Sequence, residues 1–266
     1  MKFFRFYRFV SHHRLLCTIL FTMLPFSICA FALATVSAGP GAYVIVALLF
    51  FFLCNLFCRT CANLLILCAT KELNDNCDPN PLLEETLDGL KYVKKGVDRQ
   101  IYIIDYTTAL SALGEHEFAY RQLSEINIDK YAGTLPVVKI VYYNNLGYFA
   151  HILKKDDAAD LMHNKALAMY NELKEGKQKK GLEFTLLSSQ ASACLRAGDP
   201  IGALSYANRL SPPSKYGEIE TAWLFSEIYL AQNDTLSAKK YLEKVASSNP
   251  CLYIVKEAKR LLAEME

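Results

Sequence analysis

Apolar residues are distributed along this chain in two regimes. From Leu15 to Ala38 they run for 24 residues without a charge; after Gly39-Pro40-Gly41 they resume from Ala42 to Cys58, 17 residues, until Arg59 interrupts them. Beyond Pro81 the pattern changes to apolar positions three and four apart, separated by polar ones, which is the period of an amphipathic helix. That period persists almost to Glu266, and no alternating run rich in Val, Ile and Thr is long enough to insist on a strand. Val137 to Val141 is β-branched, yet it leads into Tyr143, Leu146, Gly147 and Ala150 at helical spacing, so it is placed in a helix. The predicted fold class is all-α.

A bilayer core roughly 30 Å thick is crossed by about 20 apolar residues in a helix. The first run meets that length, and Pro25 is tolerated where neighbours satisfy the freed carbonyl. Gly39-Pro40-Gly41 reads as a tight turn. The second run is short, but Arg59 can reach the headgroups along its own methylenes, and Ala62 to Ala69 either prolongs the helix or lies at the interface. Together these predict a two-helix transmembrane hairpin over residues 1–71, with spans at about 15–38 and 42–58, the second extensible to 69. A secretory signal is the competing reading, with Val36-Ser37-Ala38 as its cleavage site, but the apolar core exceeds the roughly 7–15 residues of such signals. Lys2, Arg5, Arg8 and Arg14 hold the N-terminus inside. Either reading delivers residues 72–266 to the cytoplasm, so an integral membrane protein with a cytoplasmic C-terminal domain is expected.

Charge sharpens the boundary. All 27 acidic residues lie from Glu72 onward, so residues 1–71 carry +6 (Lys2, Arg5, Arg8, Arg14, Arg59, Lys71) and the remainder carries 23 − 27 = −4. Neither part has a basic block of the kind that tracks phosphates, and nucleic acid is not an expected partner. Asn74-Asp75-Asn76-Cys77-Asp78-Pro79-Asn80-Pro81 is rich in turn-favouring residues. The expected domain plan is a membrane hairpin at 1–71, a linker at 72–80 and a helical domain at 81–266.

The search for chemistry returns little. The chain has no G-x-S-x-G elbow, H-E-x-x-H, Walker-type loop or G-x-G-x-x-G, so no catalytic residue, no cofactor and no enzymatic activity is expected. Of nine cysteines only Cys77, Cys194 and Cys251 fall outside the apolar part, and free thiols are expected. Cys54, Cys58 and Cys61 share one helical face as C-x3-C-x2-C, and a membrane thiol or metal site built on them is the alternative function. Apolar surroundings oppose it, because they disfavour the thiolate that such a site needs. His12 and His13 adjoin Arg14 at the membrane boundary, and His163 lacks spaced partners, so packing is its expected role. Gly176 to Gly181 is a basic connection that could meet anionic lipid, although a solvated loop is the simpler account.

Three stretches, Asn145 to Leu167, Gly198 to Leu210 and Tyr229 to Pro250, place a polar or Gly turn between apolar-striped helices, with an Ala early in the second. Tyr143, Leu146, Gly147, Ala159, His163 and Ala166 resemble the tetratricopeptide repeat in its aromatic, Leu-Gly and two Ala positions. Gly114 with Ala119 and Leu123, Gly198-Asp199 with Ala203, and Asn233-Asp234 with Ala238, Leu242 and Pro250 are partial copies, the last two lacking the Leu-Gly pair. The four Ala are 40, 44 and 35 residues apart, against about 34 in the ideal repeat. This resemblance covers residues 98–250, with capping helices expected at 81–95 and 250–266, and it implies an α-solenoid in which small side chains mark the helix seams.

The resemblance also implies where a partner would lie, because the first helix of each hairpin lines the concave face. Transferred by position, the groove residues are Asn144, Tyr148 and His151, then Ser188, Ser192 and Arg196, then Trp223 and Glu227. A mixed polar and aromatic strip suits a peptide or protein partner, with Trp223 as an anchor unless it is used in the core. Of the family's carboxylate-clamp positions only Asn145 matches, Ile104 and Thr108 standing at the first-repeat sites, so recognition of an acidic tail is not expected. The functional expectation is a membrane-anchored, tetratricopeptide-like adaptor or scaffold. A purely structural subunit of a membrane complex is the other reading.

Overall fold

The computed structural model describes residues 6, 8–10, 13–35, 39–131 and 133–265, and among them every regular element is helical. Lys2, Arg5, His12 and Val36-Ser37-Ala38 lie outside the described residues. The chain divides into two compact units, residues 1–69 and 70–266.

The first unit holds α1 (Arg14–Thr35) and most of α2 (Pro40–Asn76). Pro40 opens α2 at a position where its missing N–H leaves no intrahelical bond unmade. Among the described residues α2 alone is long and apolar enough to cross a membrane; its most apolar stretch is 6% buried, so its apolar surface is left bare. The apolar part of α1, Leu16–Phe31, falls short of that length. The sequence had assigned the longer span to the first run. Helix lengths are the reverse because α2 passes Arg59 without a break and takes in Ala62 to Ala69, reaching 37 residues, or about 55 Å. α1 and α2 touch through side chains: the Thr18 hydroxyl donates to Cys58 Sγ at 3.6 Å, and the Phe21 and Phe57 rings meet at 6.1 Å.

Residues 72–80 are not a free connection, contrary to their turn-rich composition. Helix α2 continues to Asn76, Cys77 turns with φ 56° while fully buried, and α3 (Asn80–Tyr92) begins at once. Ser214 Oγ donates to Asn74 Oδ1 at 3.4 Å, and Asn249 Nδ2 donates to the Asn76 carbonyl at 3.5 Å. These polar side chains serve as clasps to loops far along the chain.

The second unit continues with α4 (Val97–Leu113) and α5 (His116–Ser124), α6 (Pro136–Ile152) and α7 (Asp156–Glu172), α8 (Lys177–Arg196) and α9 (Pro200–Ala207), α10 (Lys215–Ala231) and α11 (Thr235–Ala246), and finally α12 (Tyr253–Glu264). Val137 to Val141 lies in α6, as its context predicts. Each of the pairs α4–α5, α6–α7, α8–α9 and α10–α11 packs together, and α4 meets α6, α6 meets α8, and α8 meets α10.

The four pairs share one turn. Gly114, Lys154, Gly198 and Asn233 have φ of 97°, 56°, 73° and 60°, the left-handed conformation that ends a helix. In each case the next residue's N–H returns to a carbonyl five residues earlier, Glu115 to Leu110, Lys155 to Ala150, Asp199 to Cys194 and Asp234 to Tyr229, all at 2.9 Å. Five residues after each turn stands Ala119, Ala159, Ala203 or Ala238, and all four are 0% exposed. With the entry angle fixed by the turn, the fifth residue always faces the preceding helix, and only a small side chain fits. Gly147 shows the same closeness from the other side, since a Cβ there would meet the Ala159 carbonyl at 3.2 Å.

One contact was not legible in the repeat pattern. Helix α12 returns to α4, and the Tyr253 ring lies over Gly114 so closely that a Cβ on that glycine would come within 2.7 Å of it. The last helix therefore meets the first of the four hairpins.

Candidate functional site

Four residues of α10, Tyr216, Glu220, Trp223 and Glu227, are spaced four, three and four apart and so share one face of the helix. Tyr216 and Trp223 each bond the glutamate one turn onward, Tyr216 to Glu220 and Trp223 to Glu227. Tyr148 of α6 feels both carboxylates and also Tyr253 of α12, although α8 stands between α6 and α10 in the packing order. Ser111 of α4 bonds Tyr148, and the His116 ring of α5 stands edge-on to Tyr148 at 6.4 Å and to Tyr253 at 4.7 Å. Five helices thus contribute to one wall.

Tyr148 keeps 42% of its surface open, and Glu220, Trp223 and Glu227 are half-buried. Each nevertheless has protein packed around it, and this burial thins its solvation. Poor solvation disfavours charge there. Burial pushes Glu220 and Glu227 up to about 7, against the opposing pull of the bonds from Tyr216 and Trp223. Burial, and then the nearby carboxylates, hold the Tyr148 and Tyr216 phenols far above their ordinary value. Burial lowers His116 by disfavouring its charged form. Asp105 of α4 is likewise raised by burial, to about 6.

Of the residues expected in the groove, the structure brings together Tyr148, Trp223 and Glu227. Asn144, one turn before Tyr148, carries a buried Oδ1 with no hydrogen-bond partner. Ser188 and Ser192 are half-buried on α8. Arg196 and His151 belong to a different group: Arg196 Nη2 pairs with Asp160 Oδ1 at 2.7 Å, and His151 Nδ1 stands 3.9 Å from Asp156 Oδ1. The Arg196 side chain is 10% exposed, so it ties α8 to α7. His163, expected to pack, is buried with Nδ1 2.8 Å from Ser189 Oγ, and Asn145 Nδ2 donates to Thr108 Oγ1 at 3.2 Å.

Sequence reasoning missed Tyr216, Glu220, Tyr253, Ser111 and His116. The spacing on α10 was a usable signal for the first two. Nothing local pointed to the others, which arrive from α4, α5 and α12.

Among the described residues no three His, Cys, Asp or Glu side chains are gathered as a metal's ligands would be. The C-x3-C-x2-C residues separate: Cys58 and Cys61 are buried with Val10 and Cys17, while Cys54 lines a shallow apolar pocket with Phe21, Pro25 and Phe57. Gly176 to Gly181, expected as a solvated loop, is instead the N-cap and first residues of α8, where Lys179 is engaged by Glu175 at 2.7 Å and lies over the Tyr170 ring at 5.4 Å.

Comparison with protein-family models, curated proteins and solved structures returns no match. The geometry therefore has to carry the functional argument alone.

Proposed function

We propose that this chain is a non-enzymatic, membrane-anchored adaptor. In this reading a two-span helical hairpin, with both of its ends cytoplasmic, carries a tetratricopeptide-like α-solenoid, and the inner face of that solenoid binds a protein or peptide. The observation that carries the reading is Tyr148: an aromatic side chain left 42% exposed at the meeting point of residues from five helices. Large aromatic side chains with a polar tip dominate binding energy where a concave surface receives a partner. The four matching turns with their buried alanines support the repeat architecture, and the bare apolar surface of α2 supports the anchor. The cations at Lys2, Arg5, Arg8 and Arg14 support the orientation.

The test is photo-crosslinking of the full chain in cells, with the photoreactive residue at position 148 and, as a control, at the exposed Lys240 of α11. A discrete protein adduct from position 148 and none from position 240 is expected. Adducts of equal kind from both positions, or none from position 148, overturn the adaptor reading.

A further inference from the structure

The wall described above has acceptors in excess. Glu220 and Glu227 stand two helical turns apart on α10, and the charges that act on Tyr148 are those of Glu220, Glu227 and Tyr253. Arg260, which acts on Tyr253, is itself paired with Glu257 and Glu264. Asn144 Oδ1 is a buried acceptor without a partner.

His116 points the same way. It is 6% exposed; its Nδ1 lies 3.2 Å from Ser111 Oγ, and its Nε2 has no hydrogen-bond partner. The Ser111 hydroxyl can donate to Nδ1 or accept from it, so Nε2, beside Tyr148 and Tyr253, becomes an acceptor in the tautomer that carries its proton on Nδ1. Unmet buried acceptors cost stability until a donor arrives.

A ligand that suits this wall brings several N–H donors, positive charge and a flat or extended apolar stem. Ammonium and guanidinium groups supply the donors and the charge, and they are attracted to the faces of Tyr and Trp rings. Because the site lies along helices rather than in a closed cavity, the occupant is a side chain carried on an extended segment.

Resting on the adaptor reading, we propose that Tyr148, Tyr216, Glu220, Trp223, Glu227 and Tyr253 form the receptor for a Lys or Arg side chain in a basic segment of the partner protein. Glu220 and Glu227 supply the counter-charge, the rings enclose the stem and the cationic head, and Asn144 and His116 accept from its N–H groups. The same proposal accounts for the presence of two carboxylates where solvation is poor: the site is tuned to become fully ionised when the cation enters.

The experiment uses the full chain purified in detergent and three sets of short synthetic peptides, rich in Lys and Arg, neutral, or rich in Asp and Glu. The basic set is expected to bind roughly tenfold or more tightly than the acidic set, and the combined Glu220→Gln/Glu227→Gln variant is expected to erase that preference. Glu218→Gln, which removes an exposed charge from the same helix, should leave it intact. The helical circular-dichroism signal of the double variant checks that it is folded. Binding without basic preference, or a preference that survives the double variant, overturns this inference and leaves the adaptor reading standing. If no set binds, the adduct at position 148 separates the cases: present, this inference alone falls; absent, the adaptor reading falls with it.

Discussion

Lys154 occupies a backbone position that its neighbours in the same role fill with Gly114, Gly198 and Asn233. A left-handed φ brings Cβ close to the backbone carbonyl, at a cost of roughly 1–2 kcal/mol that glycine avoids, less the extra chain entropy glycine loses on folding. Lys154→Gly should therefore stabilise the protein by about 0.5–1 kcal/mol, read as a higher midpoint in thermal unfolding. Glu220 and Glu227 give the opposite kind of residue effect. Their folded value of about 7 lies above the ordinary 4.5, so between those limits the folded chain keeps protons that the unfolded chain has released. Their contribution to stability is full below pH 4.5 and is lost as pH rises through 7. The melting temperature of the full chain without a partner should accordingly fall from pH 5 to pH 8, and Glu220→Gln/Glu227→Gln should flatten that slope. An unchanged slope in the double variant would show that the two carboxylates are well solvated.

At the scale of elements, the hairpin is the unit that recurs, and its register is set by one turn and one alanine. Ala159 is fully buried, and its carbonyl faces Gly147 on the partner helix. A large side chain there has no rotamer that avoids the backbone of α6, so Ala159→Trp should destabilise by more than the roughly 1–3 kcal/mol of ordinary overpacking. Loss of cooperative melting is the expected outcome, and melting like the parent would refute the assigned seam. Helix termini show how local chemistry supports the hairpins. Asp199, Ser214 and Asp234 cap their helices by accepting from the N–H groups of Gly202, Gly217 and Ser237. Helix α2 is held along its apolar stretch by its own backbone bonds, the arrangement that the proposed membrane span requires of a single segment.

At the scale of the molecule, the proposed anchor and the helical unit make separate demands, and their joint meaning is a question of sidedness. The proposed two-span hairpin predicts that a reporter fused after Glu266 behaves as cytoplasmic and that one inserted at Gly39 behaves as external. Alkaline phosphatase activity from the C-terminal fusion would contradict that topology. Within the second unit, the return of α12 to α4 changes what the repeat pattern implies. An open strip offers its whole inner face to a partner, whereas a series whose last helix meets the first hairpin at Gly114 and Tyr253 concentrates polar side chains from distant hairpins in one place.

Much of this protein follows from local rules that a sequence states openly. Helical period, the acid-free apolar beginning, the alanines of the seams and the turns at Gly114, Gly198 and Asn233 are all properties of short stretches of chain. The turn at Lys154 escaped because lysine has no preference for a left-handed backbone; the packing of α6 on α7 imposes it. The length of α2 escaped for a related reason, since one arginine marks the end of an apolar run but does not end a helix. The candidate site was legible only in part. Tyr148, Trp223 and Glu227 could be placed on inner faces from their positions in the repeat, and Tyr216 and Glu220 shared a readable stripe with two of them. Whether those faces converge depends on the curvature accumulated over successive helix pairs, and the closure of α12 onto α4 alone brings Ser111, His116 and Tyr253 to the same wall.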